Sequence, residues 1–261
     1  LGLSAGHDLS LAAATTTTRR FGGTLTQTSV QGLTLSAGQD LSLSAGHDLN
    51  AQAVTLKAGG NAALSAGNDL NLSALATGTR WTTQTAASTV SAGGNLSLVA
   101  GHDLTAPAAT LTSGGALSAW AGHDLSLAAT TTGTASHVTH QVATLNAGGN
   151  LALGAGNNLD LAATQLSAGH AAVLSAGHDL NLTTVTDLAT QTASWKEGKK
   201  RITQTTTDET LHGVTVNAGT GLALVAGHDA NLTAATLATQ SGLAAVQAGH
   251  DVNLLSGSET H

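Results

Sequence analysis

Leucines and small polar residues alternate along this chain in short runs, and the runs recur. Three and five residues after Gly38 stand Leu41 and Leu43. The same offsets give Leu96 and Leu98 after Gly93, Leu151 and Leu153 after Gly148, and Leu222 and Leu224 after Gly219. A second set of glycines is followed in the same way by Leu9 and Leu11, Leu70 and Leu72, Leu125 and Leu127, and Leu180 and Leu182. An apolar period of two marks a strand with one buried face. A third column stands three residues before each new unit, at Leu35, Leu56, Val90, Leu111, Leu145, Leu166, Val216 and Val246. Three short strands per unit, separated by glycine-containing turns, are therefore predicted. Helical spacing is absent from the pattern.

The turns carry the repeat. AGHD begins at Ala5, Ala45, Ala100, Ala121, Ala176, Ala226 and Ala248, with AGQD, AGND, AGNN and AGGN between. The glycines form pairs eight residues apart: Gly38/Gly46, Gly59/Gly67, Gly93/Gly101, Gly114/Gly122, Gly148/Gly156, Gly169/Gly177, Gly219/Gly227 and Gly249/Gly257. Successive first glycines are separated by 21, 34, 21, 34, 21, 50 and 30 residues. A 21-residue unit with insertions at a single corner accounts for the series.

One such unit cannot bury its apolar face alone, but stacked units can. Parallel coils at a spacing of ~4.8 Å align like residues into ladders around a leucine-lined interior. The expected fold is all-β, a right-handed parallel β-helix of about eight coils and roughly 40 Å, the hand following the bias of parallel crossover connections. Residues 1–261 form a single array, with insertions at approximately 12–31, 73–88, 128–141 and 183–212. The chain has no Met and no cap sequence at either end, which reads as an internal stretch of a longer polypeptide.

Composition narrows the function. Only 9% of residues are charged and the net charge is −7, which argues against nucleic acid as the main partner. No run of ~18 apolar residues is present. With no Cys, disulfides and thiolate metal sites are excluded.

His7, His47, His102, His123, His178 and His228 form a column after the second glycine, broken at Asn68, Asn157 and Ser258. Asp8, Asp48, Asp69, Asp103, Asp124, Asp179 and Asp229 follow them. A metal would need ligands about 3 Å apart, whereas stacked coils hold like side chains near 4.8 Å. The expected role is a turn in which Asp accepts backbone N–H bonds and His faces solvent. AGHDLSL also shares a G-x-D-L core with the calcium-binding nonapeptide of RTX solenoids, but lacks its doubled glycine and its period. Neither a metal nor a cofactor is expected. Glycan-cleaving β-helices need clustered carboxylates or bases in a groove. Here the acids fall one per turn, and those outside the columns, Asp160, Asp187, Glu197, Asp208 and Glu209, have no evident catalytic partner. The chain is not expected to be an enzyme or to take a small-molecule substrate.

The insertions are Thr-rich and alternating around glycines, as β-hairpins are, with tips placed near Gly22–Gly23, Gly78, Gly133 and Gly198. Seven of the eight Lys and Arg lie there: Arg19, Arg20, Arg80, Lys196, Lys199, Lys200 and Arg201. Phe21, Trp81 and Trp195 accompany them, while Trp120 alone sits on a coil. Basic and aromatic tips suit glycan or lipid head groups. Charged tips also discourage edge pairing between molecules, which accounts equally well for the basic residues. Insertions on alternate coils emerge ~9.6 Å apart, room for two strands each, so the hairpins are expected to pair into a continuous side sheet.

AGHDLSL, AGNDLNL and AGGNLSLVAGHDLT resemble the repeats of filamentous haemagglutinin-like exoproteins of two-partner secretion, over essentially the whole chain. The alternation of short coils with coils bearing hairpins such as TRWTTQTAASTVSAGG looks most like the second repeat region of contact-dependent growth inhibition effectors. The resemblance implies a secreted stalk at the bacterial cell surface. It further implies an outer-membrane secretion partner, the target-cell envelope as counterpart, and a role in passing a toxin across that envelope. The stalk or contact surface of an adhesin is the alternative.

Overall fold

The computed structural model describes residues 1–20, 25–79, 82–134, 136–198 and 200–259. Three long parallel sheets run side by side along the molecule. Sheet I collects the strands before each second glycine, nine in all, from Gly2–Ala5 to Ala244–Ala248. Sheet II collects the nine strands after it, from Leu9–Ala12 to Val252–Leu255. Sheet III has eight strands before each first glycine, from Leu33–Ala37 to Thr236–Thr239. Each coil visits the three sheets in turn, which is a parallel β-helix.

Register is residue on residue. Leu43, Leu64 and Leu98 stack in sheet I, and Leu56, Val90 and Leu111 in sheet III. All six are at most 1% exposed. Burying a side chain of this size stabilises by roughly 1.5–3 kcal/mol, and every interior coil contributes several. The alternation of small polar residues faces outward.

The glycine corners are forced by close stacking. A Cβ added to Gly101 would land on the carbonyl oxygen of Gly67, and one on Gly59 would land on that of Gly38. The third corner takes one of two forms. In coils without an insertion it is a single residue in the left-handed region: Ala53 (φ 51°), Ala108 (φ 53°), Ala163 (φ 49°) and Ala234 (φ 45°). In the others it opens into a hairpin. Buried hydroxyls stabilise this junction. Ser88 donates to the carbonyls of Ser73 (2.9 Å) and Ala51 (3.1 Å), and Thr164 donates to that of Leu127 (3.1 Å).

The structure corrects the last unit. Gly249 stacks on Gly227, so it is a second glycine, and Gly257 pairs with nothing in the repeat. Val246 accordingly lies in sheet I opposite Leu224, and Leu237 fills the sheet III column opposite Val216. Gln240 and Ser241 occupy the corner where a first glycine would stand, so the unit before Gly249 carries one extra residue at that corner and no nine-residue insertion.

Four hairpins leave the third corner on alternate coils. The first is Ala14–Arg20 with Leu25–Gln31, the second Leu75–Thr79 with Thr82–Ala86. The third is Thr130–Thr134 with His137–Gln141, the fourth Val185–Glu197 with Lys200–His212. They lie side by side in chain order. Among the described residues the expected side sheet forms between the third and fourth hairpins only. His137 and Val138 pair with Ala189 and Leu188, giving a four-stranded antiparallel sheet. Among the described residues the first two hairpins remain two-stranded ladders. Gly78 and Gly133, near which tips were expected, are the next-to-last residues of the strands leading to them, opposite Thr83 and Val138. Gly198 is at a tip, with φ 62°. Gly22 and Gly23 lie outside the described residues.

Candidate functional site

The corner after the second glycine is a hydrogen-bonded ladder running the length of the molecule. The carboxylate of each Asp accepts the backbone N–H of the equivalent residue one coil on: Asp48 N on Asp8 Oδ1 (3.1 Å), Asp103 N on Asp69 Oδ1 (3.1 Å), Asp124 N on Asp103 Oδ1 (3.0 Å), Asp229 N on Asp179 Oδ1 (3.1 Å). The residue before it reaches back to the same carboxylate. His123 Nδ1 is 3.2 Å from Asp103 Oδ1 and His250 Nδ1 is 3.1 Å from Asp229 Oδ1. Where the histidine column is broken, Asn68 and Asn157 donate Nδ2 to Asp48 (2.9 Å) and Asp124 (2.8 Å) instead. Asn thus keeps the donor that His supplies. His228 is the looser case, with Nδ1 at 3.3 Å from both Asp179 and Asp229 and no aligned bond.

The accepted bonds hold several of these carboxyls below the usual range. Asp48 is lowered first by the Asn68 side chain and then by the Asp69 backbone N–H. At Asp124 burial pushes upward, but the bonds from Asn158 N–H and Asn157 outweigh it and the net direction is down.

The imidazoles stack. Ring centroids are 4.8 Å apart for His7 and His47 and for His102 and His123, 4.7 Å for His178 and His228, and 4.8 Å for His228 and His250. His250 therefore belongs to the column that Ser258 was expected to interrupt. Four groups of three potential ligands result: His7–Asp8–His47, His102–Asp103–His123, His178–Asp179–His228 and His228–Asp229–His250. The Asp column interleaves with the His column, so His-to-Asp distances are near 3 Å and not the 4.8 Å of like on like. Two imidazoles on one zinc ion at ~2.0–2.1 Å each cannot have nitrogens further than ~4.2 Å apart. The rings stack nearly parallel with centroids 4.8 Å apart, so they would have to tilt together to share an ion, and Asp103 Oδ1 already accepts the Asp124 N–H.

A second polar cluster ties the third and fourth hairpins together. Asp187 accepts from His140 Nδ1 at 2.8 Å through one oxygen and from His212 Nε2 at 3.0 Å through the other. His140 is 12% exposed and Asp187 24%. Burial pushes the Asp187 carboxyl upward, but the two histidine bonds prevail and hold it below its ordinary value. Asp187 thus has two histidine partners that the sequence did not point to. Nothing within a few residues announces them, since one sits in another hairpin.

The tips divide by face. In the fourth hairpin Trp195 opposes Ile202 and Glu197 opposes Lys200, on one face. Lys196 opposes Arg201 on the other, above a Ser194–Thr203 hydroxyl contact of 3.1 Å. Trp195 is 45% exposed, and Lys196, Lys200 and Arg201 are exposed. Arg19 and Arg20 are consecutive on the first strand of the first hairpin, paired with Thr26 and Leu25. Phe21, Arg80, Trp81 and Lys199 lie outside the described residues. On the coils, Trp120 is 49% exposed and its ring covers Gly154, where a Cβ would collide with it.

Two sequence profiles match this chain. One described as "Hemagglutinin repeat" covers residues 22–87, 78–137 and 128–199, and another described as "Haemagglutinin repeat" covers 197–257. The chain belongs to the filamentous haemagglutinin repeat family, whose repeats are β-helical and structural or adhesive, in proteins that are typically secreted and surface-exposed. No individual curated protein and no solved structure matches it.

Proposed function

We propose that this β-helix is a stalk segment of a two-partner-secretion exoprotein of the contact-dependent growth inhibition kind, assisting toxin transfer across the target-cell envelope. The observation that carries the reading is the combination of an uninterrupted corner ladder with hairpins on alternate coils. The ladder makes a stiff rod from a chain that folds coil by coil, which suits passage through an outer-membrane secretion partner as an unfolded strand. The hairpins are extra to that rod, because coils without them close on a single alanine. Their Thr- and Gln-rich strands are what likens this stretch to the delivery region and not to a plain adhesin stalk.

The test replaces each hairpin, in the exoprotein that carries the chain, with the single-residue corner seen at Ala53 and Ala163. Surface display, binding to target cells and growth inhibition in co-culture are then measured. The delivery reading expects display and binding to persist while inhibition is lost. Loss of cell binding with display intact favours the adhesin reading. Full inhibition without hairpins defeats the delivery reading.

A further inference from the structure

The fourth hairpin ends the side sheet with an open edge. Among the described residues its outer strand, Lys200–His212, pairs only with Val185–Glu197. The N–H of Leu211 points away from that partner, where Glu259 Oε1 accepts it. By the alternation of an antiparallel ladder, Arg201, Thr203, Thr205 and Thr207 also direct N–H and C=O outward. Thr190 N–H, bonded to Ser136 O on the inner side of the hairpin, fixes the same phase. Among the described residues no strand lies against this edge between Arg201 and Thr207. Long, flat edges of this kind template pairing with another chain.

The charges along the strand say which chain. Lys200 and Arg201 stand at the tip end, Asp208 and Glu209 toward the root, and Ile202–Thr207 between them is uncharged. We infer that the outer strand docks against the same strand of a second copy of this chain, antiparallel, about a two-fold axis at Gln204. Side chains on opposed strands must share a face, so a two-fold antiparallel pair sets residues of even sum against each other. Centring on Gln204 sets Lys200 across from Asp208 of the other copy, twice by symmetry. Both lie on the Trp195 face of the hairpin. Arg201 and Glu209, on the opposite face, then stand diagonally across. Thr203 opposes Thr205, and Ile202 opposes Thr206. Parallel pairing would set Lys200 beside Lys200 and is disfavoured. The solenoids lie at opposite ends of the joint, so two rods are linked side by side through an eight-stranded side sheet.

The 261 residues contain no Cys, which allows a clean test on this chain. Gln204 falls at a position where opposed Cα atoms approach ~4.5 Å, within disulfide range. Gln204→Cys should oxidise to a covalent dimer, whereas Gln191→Cys, on the inner strand of the same hairpin, should stay monomeric. By analytical ultracentrifugation, Lys200→Asp should weaken dimerisation roughly tenfold, since two symmetric pairs are lost. The double variant Lys200→Asp with Asp208→Lys should restore it. Thr205→Pro removes only an outward N–H, so it should abolish the dimer while leaving the β-helix spectrum unchanged. A protein that stays monomeric at every concentration overturns the inference. So does a dimer indifferent to Thr205→Pro, or equal cross-linking at positions 204 and 191.

Discussion

Gly101 lies on Gly67 with no room for a methyl group between them, and the same holds coil after coil. Gly101→Ala should therefore force two coils apart and cost about 1–3 kcal/mol or more, read as a drop in unfolding midpoint. Leu98→Ala, in the adjoining interior ladder, should cost about 2–5 kcal/mol. Trp195→Ser, at an exposed tip, should stay within about 0.5 kcal/mol of the parent. A tip variant more damaging than the ladder variants would refute the division between coil and insertion. These ladders were legible because glycine and leucine recur at fixed offsets. The reach of each Asp to the next coil was not, since periodicity gives columns but not the side-chain crossing between them. That crossing also governs metal binding. Zinc titration followed by calorimetry should show no stoichiometric site in the His102–Asp103–His123 group, because its central carboxylate is committed to Asp124 N–H. Tight binding abolished by His102→Ala would contradict this.

At the scale of the element, the hairpins show where sequence reading runs out. Their existence follows from Thr-rich alternation and the glycines lie close to their tips, but the extent of their pairing does not follow. Gly78 and Gly133 stand next to last in the strands that lead to the tips, so the glycines mark where the tips lie without being the turn residues themselves. The last unit was misread because Gln240 and Ser241 replace the expected glycine. The AGHD motif at Ala248 carried the correct register all the same, with His250 stacked on His228. The partners of Asp187 are not legible in the sequence because its histidines lie in two different insertion segments, His140 being 47 residues away and His212 25. Their joint has a defined acid response. Asp187 has a folded pKa lowered below its unfolded value, so its contribution is present above ~4 and lost as pH falls through the lowered value. Hydrogen exchange of Val185–His212 should accordingly stay constant from neutral pH to about 4, after correction for the intrinsic rate, and rise below it. Asp187→Asn should raise exchange at neutral pH and flatten that dependence. An unchanged profile in the variant would mean that the histidine bonds do not hold the hairpins together.

For the molecule as a whole, alternation of plain and hairpin-bearing coils is a constraint on length. Each coil rises ~4.8 Å, and each hairpin occupies two strand widths, ~9.6 Å. Hairpins on every second coil fill the side of the rod without crowding, and the four do lie side by side in chain order. Two deletions separate this spatial argument from simple loss of buried area. Removing residues 38–92 takes out two coils and the second hairpin, joining Ala37 to Gly93 in register. The remaining hairpins still leave alternate coils, and the His140–Asp187–His212 cluster is untouched. Removing only residues 38–58 takes out one plain coil, also in register. It puts the first and second hairpins on successive coils, with half the width they need. The smaller deletion sacrifices fewer buried leucines, so burial alone makes it the milder change. Crowding makes it the more harmful one. The expected result is that the 38–58 deletion unfolds at lower temperature than the 38–92 deletion, and that replacing its second hairpin by a single alanine restores it. If the order of the two midpoints is reversed, the alternate-coil spacing has no energetic consequence, and the hairpins are free to splay.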